Sequence, residues 1–329
     1  MNKFLITLIA ALLFQTCFAQ RNSGAISRND VLSHNRDSFG IVELRSGGFQ
    51  FINPLLDCYQ PNSPGLRIMK ILEKKLKEYL AIVKEQKKAD LVSVYYRDLS
   101  NGPWLGINEE ETYSPASLLK VPVLIAALKY SQSNPDFLSW NITYYPSADT
   151  VKPEINTGNY IQAGQTYTIY ELLERMIIYS DNEAKNLILN YVPADMMNEI
   201  FFELGIDVFK PAPGGNFMSV KEFASFFRIL YNASYLDKAK SEIALSLLSK
   251  TNYNKGITAG LPPGMLVAHK FGERTTPENL KQLHDCGIIY KENQPYLLCV
   301  MTRGHNYDDL QSVITGVSKI IYEVLKTNL

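Results

Sequence analysis

A surplus of either charge is the first thing this sequence lacks. Its 33 Lys+Arg balance 33 Asp+Glu over 329 residues, and no run of basic residues occurs anywhere. That argues against nucleic acid or an anionic membrane surface as a partner. Cysteine is scarce, with four in all at positions 17, 58, 286 and 299, too few for a disulfide framework. His269, His284 and His305 share no metal-ligand spacing, so neither a metal centre nor another cofactor is expected. No internal repeat, low-complexity tract or clean linker divides the chain. Past the first twenty residues no stretch is apolar for long enough to span a bilayer.

Those first twenty residues read as a secretory signal peptide. Met1-Asn2-Lys3 gives a positive start, Phe4 to Phe14 is an apolar run, and Cys17-Phe18-Ala19-Gln20 supplies small-residue cleavage chemistry. Cleavage after Ala19 is expected, leading to a secreted or periplasmic protein. Lipoprotein anchoring through Cys17 is the alternative, against which Phe14-Gln15-Thr16 makes a poor lipobox. The expected division is a signal peptide over 1–19, an N-terminal extension over 20–60 and one main domain over 61–329. Within the extension, Phe49 to Leu56 is the part expected to anchor on the body.

Ser63-Pro64 suits a helix start, and Met69, Leu72, Leu76, Leu80 and Val83 carry an apolar stripe at helical spacing. Leu91 to Leu99 is strand-like, Ser100-Asn101-Gly102 is a turn, and Trp104 to Asn108 should return as a second strand. Helical patterns then dominate: Thr168–Tyr179, Ala184–Tyr191, Pro193–Leu204, Ser219–Tyr231 and Glu242–Leu248. Strands come back at Val267–Gly272 and in a hairpin over 285–290 and 296–301, and a closing helix is expected over Gly316–Leu325. The fold class is therefore α/β (α+β), an antiparallel sheet built from both chain ends with a helical lobe inserted between them. In the hairpin register Cys286 faces Cys299, and the two are expected to be buried free thiols rather than a bonded pair.

One polar-to-apolar boundary stands out. In Tyr113-Ser114-Pro115-Ala116-Ser117-Leu118-Leu119-Lys120, a serine and a lysine stand three apart just before an apolar run. At helical spacing the two share a face. Burial would lower the amine's pKa, and a neutral amine can take the hydroxyl proton. Ser-x-x-Lys alone recurs by chance about once in a chain of this length. Here two further motifs follow in order: Ser180-Asp181-Asn182, 63 residues after Ser117, and Lys270-Phe271-Gly272, 90 residues further on. Taken singly, Ser180 and Asn182 could be helix caps and Lys270 a solvated strand charge.

Together the three motifs resemble those of the serine penicillin-recognising enzymes, the class A β-lactamases and penicillin-binding proteins. The resemblance runs over about residues 60 to 329. It implies a β-lactamase/transpeptidase-like fold and acyl transfer on an amide bond. Ser117 would be the acylated nucleophile, Lys120 its base and Ser180 a proton shuttle to the leaving nitrogen. Asn182 would bind the substrate amide, and Lys270 would supply positive charge. The backbone N–H groups of Ser117 and Glu273 would form the oxyanion hole, with Gly272 letting substrate lie against the strand.

The sequence departs from the family pattern twice. The stretch Ile206 to Met218, where class A enzymes carry a deacylating glutamate, has Asp207 as its only acid. Phe271 replaces a hydroxyl residue that binds the substrate carboxylate, leaving Arg274, Thr275 and Arg303 as candidate substitutes. The expected activity is a secreted, monomeric serine hydrolase of class A β-lactamase type, with weak β-lactam turnover. The alternatives are a D-Ala-D-Ala-type peptidase or transpeptidase acting on cell-wall peptides, and a penicillin-binding or sensing protein that does not turn over.

Overall fold

The computed structural model describes residues 35–36, 42–45, 49–52, 54–59, 65–146, 155, 158–207 and 215–327. The expected signal peptide, the Ser63-Pro64 cap and residues 208–214 of the acid-poor stretch lie outside the described residues.

A sheet forms the backbone of the molecule. Its strands are β1 (Leu91–Asp98), β2 (Trp104–Ile107), β3 (Val267–Thr275), β4 (Lys281–Ile289) and β5 (Tyr296–Gly304), in the order β3-β4-β5-β1-β2. Every neighbouring pair is antiparallel. The two ends of the chain thus share one sheet, as the element order predicts. On one face pack α1 (Gly65–Glu85) and, from the chain's end, α8 (Tyr307–Thr327). Leu72, Leu76, Val94, Leu298, Val300, Ile314 and Val317 close that layer without exposure.

Against the other face lies the helical lobe: α2 (Lys120–Ser133), α3 (Ile169–Ile178), α4 (Asn182–Leu189), α5 (Ala194–Glu203), α6 (Val220–Tyr231) and α7 (Lys238–Ser249). At the centre is α2, buried at every position from Lys120 to Leu128. A helix apolar on all sides belongs inside a lobe, surrounded by other helices. The surrounding helices carry their own start signals. Thr168 with Glu171 and Ser219 with Glu222 form capping boxes for α3 and α6.

Three expectations need correction. The closing helix begins at Tyr307, not near Gly316. Gly316 sits mid-helix because a Cβ there would collide with the Tyr79 ring of α1. That glycine marks helix–helix packing and not a terminus. The hairpin is longer than expected at both open ends, over 281–289 and 296–304, and it keeps the predicted register, with Cys286 opposite Cys299. These two cysteines are not free thiols but a disulfide, with Cα atoms 4.0 Å apart. Directly opposed residues approach closely in an antiparallel ladder, and here both thiols are fully buried.

Candidate active site

Ser117 does not open the α-helix itself. It lies in a 3-10 turn, Ala116–Leu119, that feeds α2 at Lys120. At three residues per turn, positions i and i+3 eclipse one another. This sets Lys120 Nζ 2.7 Å from Ser117 Oγ. Entry to the turn runs through Ala116 at φ +50, a left-handed conformation that L-residues with a Cβ adopt only under constraint.

Ser180 is a second such residue, at φ +55, in the break between α3 and α4. Its neighbour Asp181 holds the break in place. One carboxylate oxygen caps α4 through Glu183 N–H (2.8 Å) and Ala184 N–H (3.1 Å), and the other accepts from Ile161 N–H at 2.7 Å. Asp181 is therefore the cap, which frees Ser180 and Asn182 to face Lys120. Nζ of that lysine lies 3.2 Å from Ser180 Oγ and 2.7 Å from Asn182 Oδ1.

Lys270 reaches the same serine from the sheet, its Nζ 3.0 Å from Ser180 Oγ and 2.9 Å from the Phe271 carbonyl. Neither lysine is exposed to solvent beyond 1%. Burial holds the Lys120 amine well below the usual lysine range, with the charges of Lys270 and Lys185 adding to the effect. Burial likewise brings Lys270 down to about 7. Desolvation penalises the ammonium form, so both amines give up a proton more readily than a free lysine does.

Strand β3 lies at the sheet edge, and its register fixes which groups face the site. Tyr290 N–H bonds Leu266 C=O at 3.0 Å and Thr276 N–H bonds Leu280 C=O at 2.8 Å. In an antiparallel ladder this makes the even-numbered positions of β3 the ones bonded to β4. Glu273 N–H therefore points off the free edge. Gly272 also bears on the Ser117 turn. A Cβ there would come within 2.9 Å of Pro115 O and 3.0 Å of Leu118 N. Its missing side chain lets the strand close on the Ser117 turn, which sets Glu273 N–H beside it.

Phe271 does not enter the cleft. It is 1% exposed and stacks on Tyr253 at 4.2 Å between ring centroids. Of the three substitutes for the missing hydroxyl, Arg274 lines the cleft. Thr275 Oγ1 pairs with Tyr307 Oη at 3.1 Å, and Arg303 donates to Thr112 C=O at 3.0 Å. The histidines are scattered. His269 pairs with buried Asp285 at 2.8 Å, His305 lies 3.2 Å from Asp90, and burial pushes His284 down to about 4. Among the described residues, no group of three His, Cys, Asp or Glu is placed to hold a metal.

The resulting cleft has a volume of about 370 Å³ and brings Ser117, Lys120, Asn182 and Glu273 together. It also takes in Glu183, Lys185 and Asn186, which sequence reasoning missed. The signal was present in α4, where Lys185 and Asn186 stand three and four residues after Asn182 and so share its face.

A model of the β-lactamase enzyme family matches residues 71–325. β-Lactamase OXY-1 of Klebsiella oxytoca is 26% identical over 235 residues, spanning 66% of this chain and 78% of its own. A β-lactamase of Bacillus licheniformis is 24% identical over 272 residues, 77% of this chain and 85% of its own. Among solved structures, an acyl-enzyme complex of a PBP-A variant with penicillin G superposes with TM-score 0.66 at 25% identity, covering 79% of this chain and 97% of that one. A class A β-lactamase representative from Bacteroides cellulosilyticus shares the fold at TM-score 0.67 and 22% identity, covering 79% and 99%.

Proposed function

The chain belongs to the β-lactamase enzyme family, and on that premise we propose that it is an exported serine hydrolase acylated at Ser117. One observation carries the reading: two buried lysines converge on Ser180, and one of them also touches Ser117. With its pKa lowered, Lys120 accepts the Ser117 hydroxyl proton as Oγ attacks the substrate carbonyl. The developing oxyanion is met by the backbone N–H groups of Ser117 and Glu273. When the C–N bond breaks, Ser180 gives its proton to the leaving nitrogen and recovers one from Lys120. Asn182 holds both Lys120 and the substrate amide. Lys270 keeps Ser180 oriented and offers positive charge on the leaving-group side. Residues 61–329 carry this activity, preceded by the extension over 20–60.

Release of the acyl group is the weak step. Asp207, the acid of the Ile206–Met218 stretch, is exposed and does not line the cleft. No carboxylate from that stretch is then available to activate water, and we propose a long-lived acyl-enzyme. The same feature, with the likeness to a PBP-A acyl-enzyme, favours a second reading: transfer or hydrolysis of D-Ala-D-Ala-type cell-wall peptides, with β-lactams as slow substrates.

Intact-protein mass spectrometry after addition of benzylpenicillin tests both readings. The expected result is an adduct on the wild-type protein that decays slowly and is absent in Ser117→Ala. Rapid loss of the adduct would remove the peptidase reading. Failure of the wild type to acylate with penicillin, peptide or ester substrates would remove the serine-hydrolase reading itself.

A further inference from the structure

The path of β3 across the site gives the cleft a direction. Lys270 stands at one end, beside Ser180, the group assigned to the leaving nitrogen. Gly272 is level with the Ser117 turn, pressed against Pro115 and Leu118. Arg274 comes two residues later on the same face, about 13 Å beyond Lys270 at about 3.3 Å per residue. It therefore lies on the opposite side of Ser117 from the leaving group, alongside the acyl portion of any bound substrate.

Its side chain is fixed there. Nη1 donates to Ser114 Oγ at 2.7 Å, and Ser114 is itself held through Gln282 Oε1 to its N–H (3.0 Å) and His284 Nε2 to its C=O (3.0 Å). Gln282 bonds on to Asn216 Oδ1 at 3.0 Å. A guanidinium carries five N–H donors in a planar fork, and the Ser114 bond uses one. Two carboxylates also line the cleft: Glu273, whose Oε1 accepts from Ile155 N–H at 2.7 Å, and Glu183, which accepts from Tyr144 Oη at 3.2 Å. Glu278, in the exposed turn beyond β3, feels the Arg274 charge through solvent.

We propose that Arg274 forms a subsite for an anionic substituent on the acyl side, so that the substrate class is acyl donors bearing a carboxylate on the acyl portion. The proposal builds on the Ser117 reading for its direction, and its test does not depend on acylation. Benzylpenicillin and its α-carboxy analogue carbenicillin differ by one acyl-side carboxylate. Their dissociation constants are to be measured in the full chain carrying Ser117→Ala, which binds without reacting.

Carbenicillin is expected to bind about three- to tenfold tighter, as befits a charge-assisted contact partly open to solvent. Adding Arg274→Gln should bring the ratio of the two constants to about one, and Arg274→Lys should restore part of it. A purely structural role would shift both constants together and leave the ratio unchanged. An unchanged ratio in Arg274→Gln, a preference for benzylpenicillin, or no binding of either compound would overturn the proposal. An Arg274-dependent preference in a protein whose wild type never acylates would keep the subsite and remove the hydrolase reading.

Discussion

Lys270 is a fully buried amine, and holding it there has a consequence for stability. In the fold it titrates at about 7, whereas the free side chain titrates near 10.5. Below about 7 it is protonated in both states, and the full penalty of burying its charge is present. Between about 7 and 10.5 the unfolded chain holds a proton that the fold does not, so this contribution to stability rises with pH and then levels off. Lys270→Met removes the group altogether. Its advantage in melting temperature over the parent is therefore expected to be greatest near pH 7 and to shrink toward pH 10. Parallel curves in thermal unfolding across that range would mean that the amine is not desolvated as described. Phe271 teaches a related lesson at this scale. The sequence shows a lost hydroxyl, but the side chain lies against Tyr253 on the face away from the Ser117 turn. Its ring also lies beneath Lys270 Nζ, 4.2 Å from the centroid, so the replacement packs against a lysine of the site without lining the cleft.

Helix α7 does more than complete the lobe. Its Glu242 carboxylate accepts from three successive backbone N–H groups, those of Gln50, Phe51 and Ile52, at 2.8 to 3.1 Å. Phe51 and Ile52 are buried, and Tyr290 Oη donates to Phe51 C=O at 2.8 Å. The segment ahead of α1 is thus clasped to the body at the point the sequence marks as its anchor. Hydrogen bonds to a charged group contribute about 1.5–3 kcal/mol each when fully buried and less at a part-buried site. Glu242→Gln keeps the shape and loses the charge. It is expected to lower stability by about 1–2 kcal/mol and to speed chymotryptic cleavage after Phe49 and Phe51. An unchanged melting temperature and cleavage rate would show that the clasp contributes nothing. The element boundaries follow the same pattern. Helices with capping boxes start where the sequence puts them, whereas α8 starts well before Gly316, a glycine that answers to the Tyr79 ring and not to its own neighbours.

For the whole molecule, the disulfide ties two central strands of a sheet that joins both chain ends. Closing a loop of this size stabilises by about 3 kcal/mol through the unfolded chain. The double variant Cys286→Ala/Cys299→Ala should accordingly unfold at a lower denaturant midpoint, and alkylation of the unreduced, denatured wild type should leave both cysteines unlabelled. Labelling at either position would show that the bond does not form. The sequence alone settled whatever is local or periodic. Apolar spacing gave the helices, turn residues gave the hairpins, and the hairpin register across 285–301 set Cys286 opposite Cys299. The order of Ser117-x-x-Lys120, Ser180-Asp181-Asn182 and Lys270-x-Gly272 points to the family by itself. Packing alone decided that Lys120 and Lys270, 150 residues apart, meet at one serine, and that burial lowers the pKa of both amines. It also decided that the two thiols bond, that Gly272 serves the turn, and that Arg274 and not Thr275 or Arg303 faces the cleft. Burial, distance and the facing of a side chain are properties of elements brought together from far along the chain, and no local pattern encodes them.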